Sequence, residues 1–153
     1  MTELETAVAT VPFADRLAHA VAERRSQLVV GLDPRLDLLP VELRGDAHLG
    51  RAAAADAYAR FCRGVIDAVA PYVVAVKPQL AFFEALGAPG LHAFEQACAY
   101  ARSAGLLVIA DGKRGDIGST ARAYATAYLE PEEGGQAIAD ALTVNPYLGR
   151  DSI

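Results

Sequence analysis

A chain of 153 residues, 53% hydrophobic and 22% charged, has enough apolar material for one domain with a buried core. Its net charge of −5, with no basic stripe interleaved with aromatics, argues against a nucleic-acid surface, and no apolar run is long enough to span a membrane. Met1-Thr-Glu-Leu-Glu5 is acidic and lacks the layout of a secretory leader; Cys62 and Cys98 have no metal-ligand spacing and read as core residues in a reducing compartment, so a soluble cytoplasmic protein is expected.

Taken in order, Pro12 to Arg25 places Phe13, Leu17, Ala20 and Val21 on one helical face, expected to cover the bottom of the fold. Gln27 to Leu32 is a short buried strand ending in Asp33-Pro34, where proline turns the chain. Residues 35–50 read as a loop, broken by Pro40, Gly45 and Asp46. Arg51 to Ala70 is the clearest helix, with Tyr58, Phe61, Cys62, Val65, Ile66 and Val69 at helical spacing and Pro71 as its stop. A second strand, Tyr72 to Val76, ends in Lys77-Pro78. Gln79 to Leu86 is a loop entering a short helix closed by Gly87, and Leu91 to Ala104 is a further helix with Phe94, Ala97, Cys98 and Ala101 inward.

The third strand, Leu106 to Ala110, stops abruptly in Asp111-Gly-Lys-Arg-Gly-Asp116, a D-x-K-x-x-D pattern. A solvated turn needs one charge. The three charges of this pattern, set among Gly112, Gly115 and Gly118, which shield nothing and let backbone approach closely, suggest a site. Ser119 or Thr120 is placed to cap a helix running to about Leu129, with Ala123, Tyr124, Ala127 and Tyr128 as its apolar face and Pro131 as its end. A turn at 132–135 precedes a fourth strand, Ala141 to Val144, ending in Asn145-Pro146.

Four strands alternate with helices, and each is a continuous apolar run, the mark of parallel strands buried on both faces. Each ends in polar residues: Asp33, Lys77, Asp111 with Lys113, and Asn145. Polar groups at the carboxyl ends of parallel strands are where α/β folds build sites. Gly31-Leu-Asp-Pro-Arg35 is no phosphate-binding glycine loop, so the expected class is an α/β (β/α)8 TIM barrel. Such barrels take about 250 residues, so residues 1–153 are expected to supply the N-terminal half of a single barrel domain, ending just after strand four.

Gly31-Leu-Asp-Pro-Arg35, Val76-Lys-Pro-Gln-Leu-Ala-Phe-Phe-Glu84, Asp111 through Thr120 and Thr143-Val-Asn-Pro-Tyr-Leu-Gly149, in that order and each at a strand end, resemble the orotidine 5′-phosphate decarboxylase family, in its bacterial branch with longer loops. The resemblance runs from about Phe13 to the end. It implies conversion of orotidine 5′-phosphate to uridine 5′-phosphate in de novo pyrimidine biosynthesis, by a homodimer with shared active sites and without metal or cofactor. Loss of CO₂ from C6 leaves a carbanion in the ring plane, which the π system cannot delocalise, so the site must act electrostatically. Lys113 would stabilise that charge and protonate C6. Asp111 would lie beside the substrate carboxylate and hold Lys113 in place. By the same resemblance Asp33 and Lys77 bind the ribose hydroxyls, Lys77 extends the charged network, and Asp116 and Thr120 reach a neighbouring subunit's ribose. Asn145 is left unassigned. In this family the pyrimidine edge and phosphate are held by strands five to eight, which these residues do not include.

Two other readings stand beside it. A sibling Mg²⁺-dependent sugar-phosphate decarboxylase or hexulose-phosphate synthase shares the D-x-K-x-x-D strand end but is expected to carry an acidic ligand near strand two. Here Lys77 stands there, and Glu84 lies well past it. A non-catalytic half-barrel that folds only with a partner chain is the third.

Overall fold

The computed structural model describes residues 11–131 and 135–153, so the acidic N-terminus and most of the expected turn at 132–135 lie outside the described residues. Helix α1 (Phe13–Arg24) leads to strand β1 (Val29–Leu32), the short helix α2 (Val41–Arg44) and the long helix α3 (Arg51–Val69). After these come β2 (Ala75–Pro78), α4 (Leu80–Glu84), α5 (Ala88–Ser103), β3 (Leu107–Arg114), α6 (Gly118–Leu129) and β4 (Ala141–Val144). The strands form one sheet in the order β1-β2-β3-β4, all parallel. Parallel neighbours need a crossover, and α3, α5 and α6 supply one for each successive pair.

The sheet is anchored by a packed layer rather than by hydrogen bonds alone. Leu32, Val76, Val108 and Ala110 are fully buried, as are Cys62, Ile66, Leu80 and Phe83. An edge-to-face aromatic chain ties the helices together: Tyr58 meets Phe83 at 6.0 Å, Phe83 meets Phe94 at 5.6 Å, and Phe94 meets Tyr128 at 6.4 Å. Each such pair contributes about 0.5–1.5 kcal/mol beyond its area burial. Cys62 and Cys98 are free thiols within this core, each pushed up to about 12 by burial, and are therefore inert at neutral pH.

Helix α1 lies at the amino-terminal end of the sheet, its apolar face only half-buried, and is held there by arginine side chains. Arg24 donates to the carbonyls of Ala70 and Gly105, and Arg16 donates to Asp140 Oδ1 at 2.8 Å. Asp140 Oδ2 in turn accepts from the Val108 amide at 2.7 Å, so one carboxylate fastens α1, β3 and the entry to β4. With this end closed by structural contacts, the carboxyl ends of the strands are left to carry the site.

Several expectations shift. The second strand starts at Ala75, not Tyr72, because the Tyr72 amide is spent on the Val69 carbonyl in the turn after α3 and the ladder opposite Val29 begins at Ala75. It also runs through Lys77 and Pro78, and β3 extends past its apolar run to Arg114. The stretch 35–50 is not a bare loop. It contains two 3-10 turns (Leu36–Leu38 and Ala47–Leu49) besides α2, with Leu39 and Ala47 buried. Neither Ser119 nor Thr120 caps α6. The helix begins at Gly118, whose φ of +28° admits the chain early, so both hydroxyls already lie inside the first turn. On α6, Tyr124 and Tyr128 do turn inward, accompanied by Ala121 and Ala125 rather than Ala123 and Ala127. Alanine marks a helical face too weakly to choose between them.

Candidate active site

The carboxyl ends of β2, β3 and β4 converge on Asp111. Its residue is 6% exposed, and both carboxylate oxygens are engaged. Oδ1 accepts from Lys113 Nζ at 2.5 Å and from the Thr143 hydroxyl at 2.9 Å. Oδ2 accepts from Lys77 Nζ and from Gln79 Nε2, the latter at 2.9 Å. A buried carboxylate is costly unless paired, and here two ammonium groups and two neutral donors surround it. The lysines are not equally enclosed: the Lys77 side chain is 35% exposed and that of Lys113 58%, so Lys113 is the more accessible of the two.

Burial pushes the Asp111 carboxyl up, but hydrogen bonds from Lys113, Lys77 and Thr143, with the Lys77 charge, outweigh it and hold the group at about 2 against an ordinary 3.8. A depressed carboxyl contributes stability that is present above about pH 4 and lost as pH falls through the folded value. The expected contribution is on the order of 2 kcal/mol. Urea unfolding of the protein and of an Asp111→Asn variant at pH 5 and pH 2.5, about half a unit above the folded value, should show the steeper acid loss in the former. Equal losses would mean that Asp111 is not held in this way.

The presentation of Lys113 depends on a break in the ladder. Between Ala110↔Leu142 and Arg114↔Val144 the chain takes four steps along β3 against two along β4, a bulge that carries Asp111, Gly112 and Lys113. Lys113 has φ +48°, in the left-handed region that non-glycine residues rarely adopt. Gly112 leaves room beneath it: a Cβ there would lie 2.9 Å from Leu80 Cδ1 and 3.1 Å from Leu142 Cδ1, so both leucine side chains would have to shift. Past the bulge, Arg114 donates to Glu84 and, at 3.0 Å, to the Tyr128 hydroxyl, tying the strand end to α4 and α6. Glu84 is thereby committed to Arg114.

Of the residues singled out in the sequence, Lys77, Asp111 and Lys113 come together. Asp33 is exposed beyond the end of β1, folded back over Gly31 so closely that a Cβ there would meet its Oδ2 at 2.5 Å. Gly31 lies opposite Lys77 in the ladder, which puts Asp33 on the same rim without joining the hydrogen-bond network of Asp111. Asp116 and Thr120 do not join that network either. Asp116 accepts from the Ile117 amide at 2.8 Å and lines, with Arg114, Arg122 and Tyr124, a separate cleft of about 760 Å³; Thr120 sits in the first turn of α6. Two members of the cluster escape the sequence reading. Gln79 looks like the start of a loop, yet it bridges to Asp111 in the sheet. Thr143 carries one available signal, a hydroxyl in an otherwise apolar four-residue strand.

Residues 26–153 match the orotidine 5′-phosphate decarboxylase / HUMPS family. The chain belongs to this family. It is 52% identical over 144 residues to the orotidine 5′-phosphate decarboxylase of Rhodopirellula baltica, covering 92% of this chain and 48% of that one. It is 51% identical over 140 residues to the enzyme of that name from Deinococcus radiodurans, covering 92% and 45%. The solved structure of Leishmania donovani OMP decarboxylase superposes with a TM-score of 0.71 at 35% identity, over 93% of this chain and 47% of that one. The chain thus spans about half the length of the relatives it matches. Its four parallel strands, in sequential order with alternating helices, are half of the family's (β/α)8 barrel. Within that family the charged bulge of β3 lies where a barrel places its chemistry, at the carboxyl end of the sheet.

Proposed function

We propose that this protein decarboxylates orotidine 5′-phosphate to uridine 5′-phosphate in pyrimidine biosynthesis, as a cytoplasmic homodimer. One observation carries the reading: in a chain of this family, a carboxylate held at about 2 is clamped between two lysines at the carboxyl end of a parallel sheet, one of them with more than half of its side chain exposed.

The reaction breaks the bond from C6 to the carboxylate, releases CO₂ and leaves an electron pair on C6 in the ring plane. Lys113 faces that pair with a positive charge already in place, which costs no reorganisation as the charge develops. It then passes a proton from Nζ to C6 and regains one from water. Asp111 stands beside the departing carboxylate. Because it is anchored by four donors and ionises far below neutrality, it neither swings away nor takes up a proton to relieve the repulsion. That repulsion disappears with CO₂. Lys77 fixes the second oxygen of Asp111 and, with Asp33 on the same rim, binds the ribose hydroxyls. Asp116 and Thr120, which stay out of the hydrogen-bond network of Asp111, serve the ribose site of the partner subunit.

The donor set favours this reading over a Mg²⁺-dependent sibling. A divalent cation seeks carboxylate oxygens, and both oxygens of Asp111 face ammonium groups, while Glu84 is paired with Arg114. Purified as its own gene encodes it, the protein should release CO₂ from orotidine 5′-phosphate at full rate after exhaustive chelation. A strict Mg²⁺ requirement, with turnover of a keto sugar phosphate instead, would favour the sibling activity.

A further inference from the structure

Lys113 is held in an unfavourable backbone conformation, and something must hold it there. With φ at +48° inside the bulge, its amide and carbonyl have left the β3–β4 ladder. Both are nevertheless satisfied, and by side chains. The Lys113 amide donates to Thr143 Oγ1 at 2.9 Å, and its carbonyl accepts from Asn145 Nδ2 at 3.1 Å. The Thr143 hydroxyl also gives its own proton to Asp111 Oδ1, so one oxygen ties the Lys113 main chain to the carboxylate that its ammonium contacts. A hydroxyl can donate once and accept twice, and this arrangement uses the donation and one acceptance. Asn145 is admitted by Gly115, where a Cβ would come within 3.0 Å of the asparagine Cβ, and its own amide donates to the Arg114 carbonyl at 2.7 Å. Threonine also stands where an apolar strand facing the core would accept valine of the same shape.

We propose that Thr143 and Asn145 are positioning residues that hold the Lys113 backbone in its left-handed conformation and so set the placement of its ammonium over Asp111. They touch no reacting atom: Asn145 acts through Lys113 alone, and Thr143 acts through Lys113 and through the Asp111 carboxylate to which it donates. The inference rests on the decarboxylase reading for its kinetic consequence, but its structural consequence stands apart from it.

Displacing a catalytic group by about 1 Å costs about a hundredfold in rate. Replacing Thr143 by Val leaves the Lys113 amide without its acceptor, and Asn145→Ala leaves its carbonyl without its donor. In the protein as its gene encodes it, both variants should therefore lose about ten- to a hundredfold in kcat with KM within about twofold. Thr143→Ser, which keeps the hydroxyl, should stay within about threefold of the parent. Crystal structures of Thr143→Val and Asn145→Ala should show Lys113 leaving the left-handed region. Unchanged kcat in both variants, a rise in KM alone, or failure of serine to restore activity would overturn the proposal while leaving the decarboxylase reading intact. A parent protein with no decarboxylase activity would overturn that reading instead, and the conformation of Lys113 in the variants would then decide the positioning role. Should Thr143→Val not fold, the exposed Asn145→Ala change still decides the matter.

Discussion

Lys113→Ala is expected to lose decarboxylation by at least about a thousandfold, some 4 kcal/mol of transition-state stabilisation, with uridine 5′-phosphate still bound within a few-fold of the parent affinity. The asymmetry comes from where the charge acts. The Lys113 side chain is more than half exposed and tied to Asp111, so removing it opens no cavity in the core. Its attraction is strongest for an electron pair on C6, which exists in the transition state and not in the product. Lys77 would remain on the other oxygen of Asp111, so the carboxylate would not be left unpaired. A variant that retained most of its kcat would remove Lys113 from the chemistry.

The second large effect concerns Asp116. It sits past the bulge, held by the Ile117 amide at the entry to α6, on a cleft distinct from the Asp111 cluster. If that carboxylate serves the partner's site in a twofold dimer, Lys113→Ala and Asp116→Ala homodimers should each be nearly inactive. After subunit exchange, about half the dimers are mixed, and each mixed dimer has one site with both residues intact and one with neither. Activity should climb toward about a quarter of the parent value. A mixture that stays as inactive as its components, with exchange demonstrated, would place both residues in one subunit's site.

What the sequence made legible is what repeats along it. Parallel strands announce themselves as apolar runs, so β4 is read to the residue and α3 to within one. Burial on both faces holds only for the inner strands: β1 and β4, at the edges of the described sheet, are partly exposed. Strand ends are less plain: Lys77 and Asp111 interrupt those runs with charge, yet β2 continues through Pro78 and β3 to Arg114. The bulge is not legible, because nothing between Asp111 and Arg114 distinguishes a turn from a strand that pauses and resumes. Its extra residues are counted only against β4, thirty residues away in the chain, and that register is set in space. Residues 35–50 read as loop for a similar reason. Their turns are stabilised from outside, by Arg44 donating to the carbonyls of Asp37 and Leu39 and by Arg60 donating to that of Leu43. Gln79 and Thr143 were hidden by chemistry of low contrast, an amide at the start of a helix and a hydroxyl in a strand. Neither looks like a site residue until Asp111 is placed beside it.

At the centre of the proposed mechanism, Lys113 carries the proton to and from C6 of the pyrimidine. By microscopic reversibility, a site that protonates a C6 carbanion must also remove the C6 hydrogen of the product, however slowly. Uridine 5′-phosphate incubated with the protein in D₂O and followed by proton NMR measures this directly, without CO₂ or substrate. The expected result is loss of the C6 hydrogen signal with the parent protein, retention of the C5 signal, and no exchange with Lys113→Ala. Exchange at C6 by Lys113→Ala at the parent rate would contradict that role.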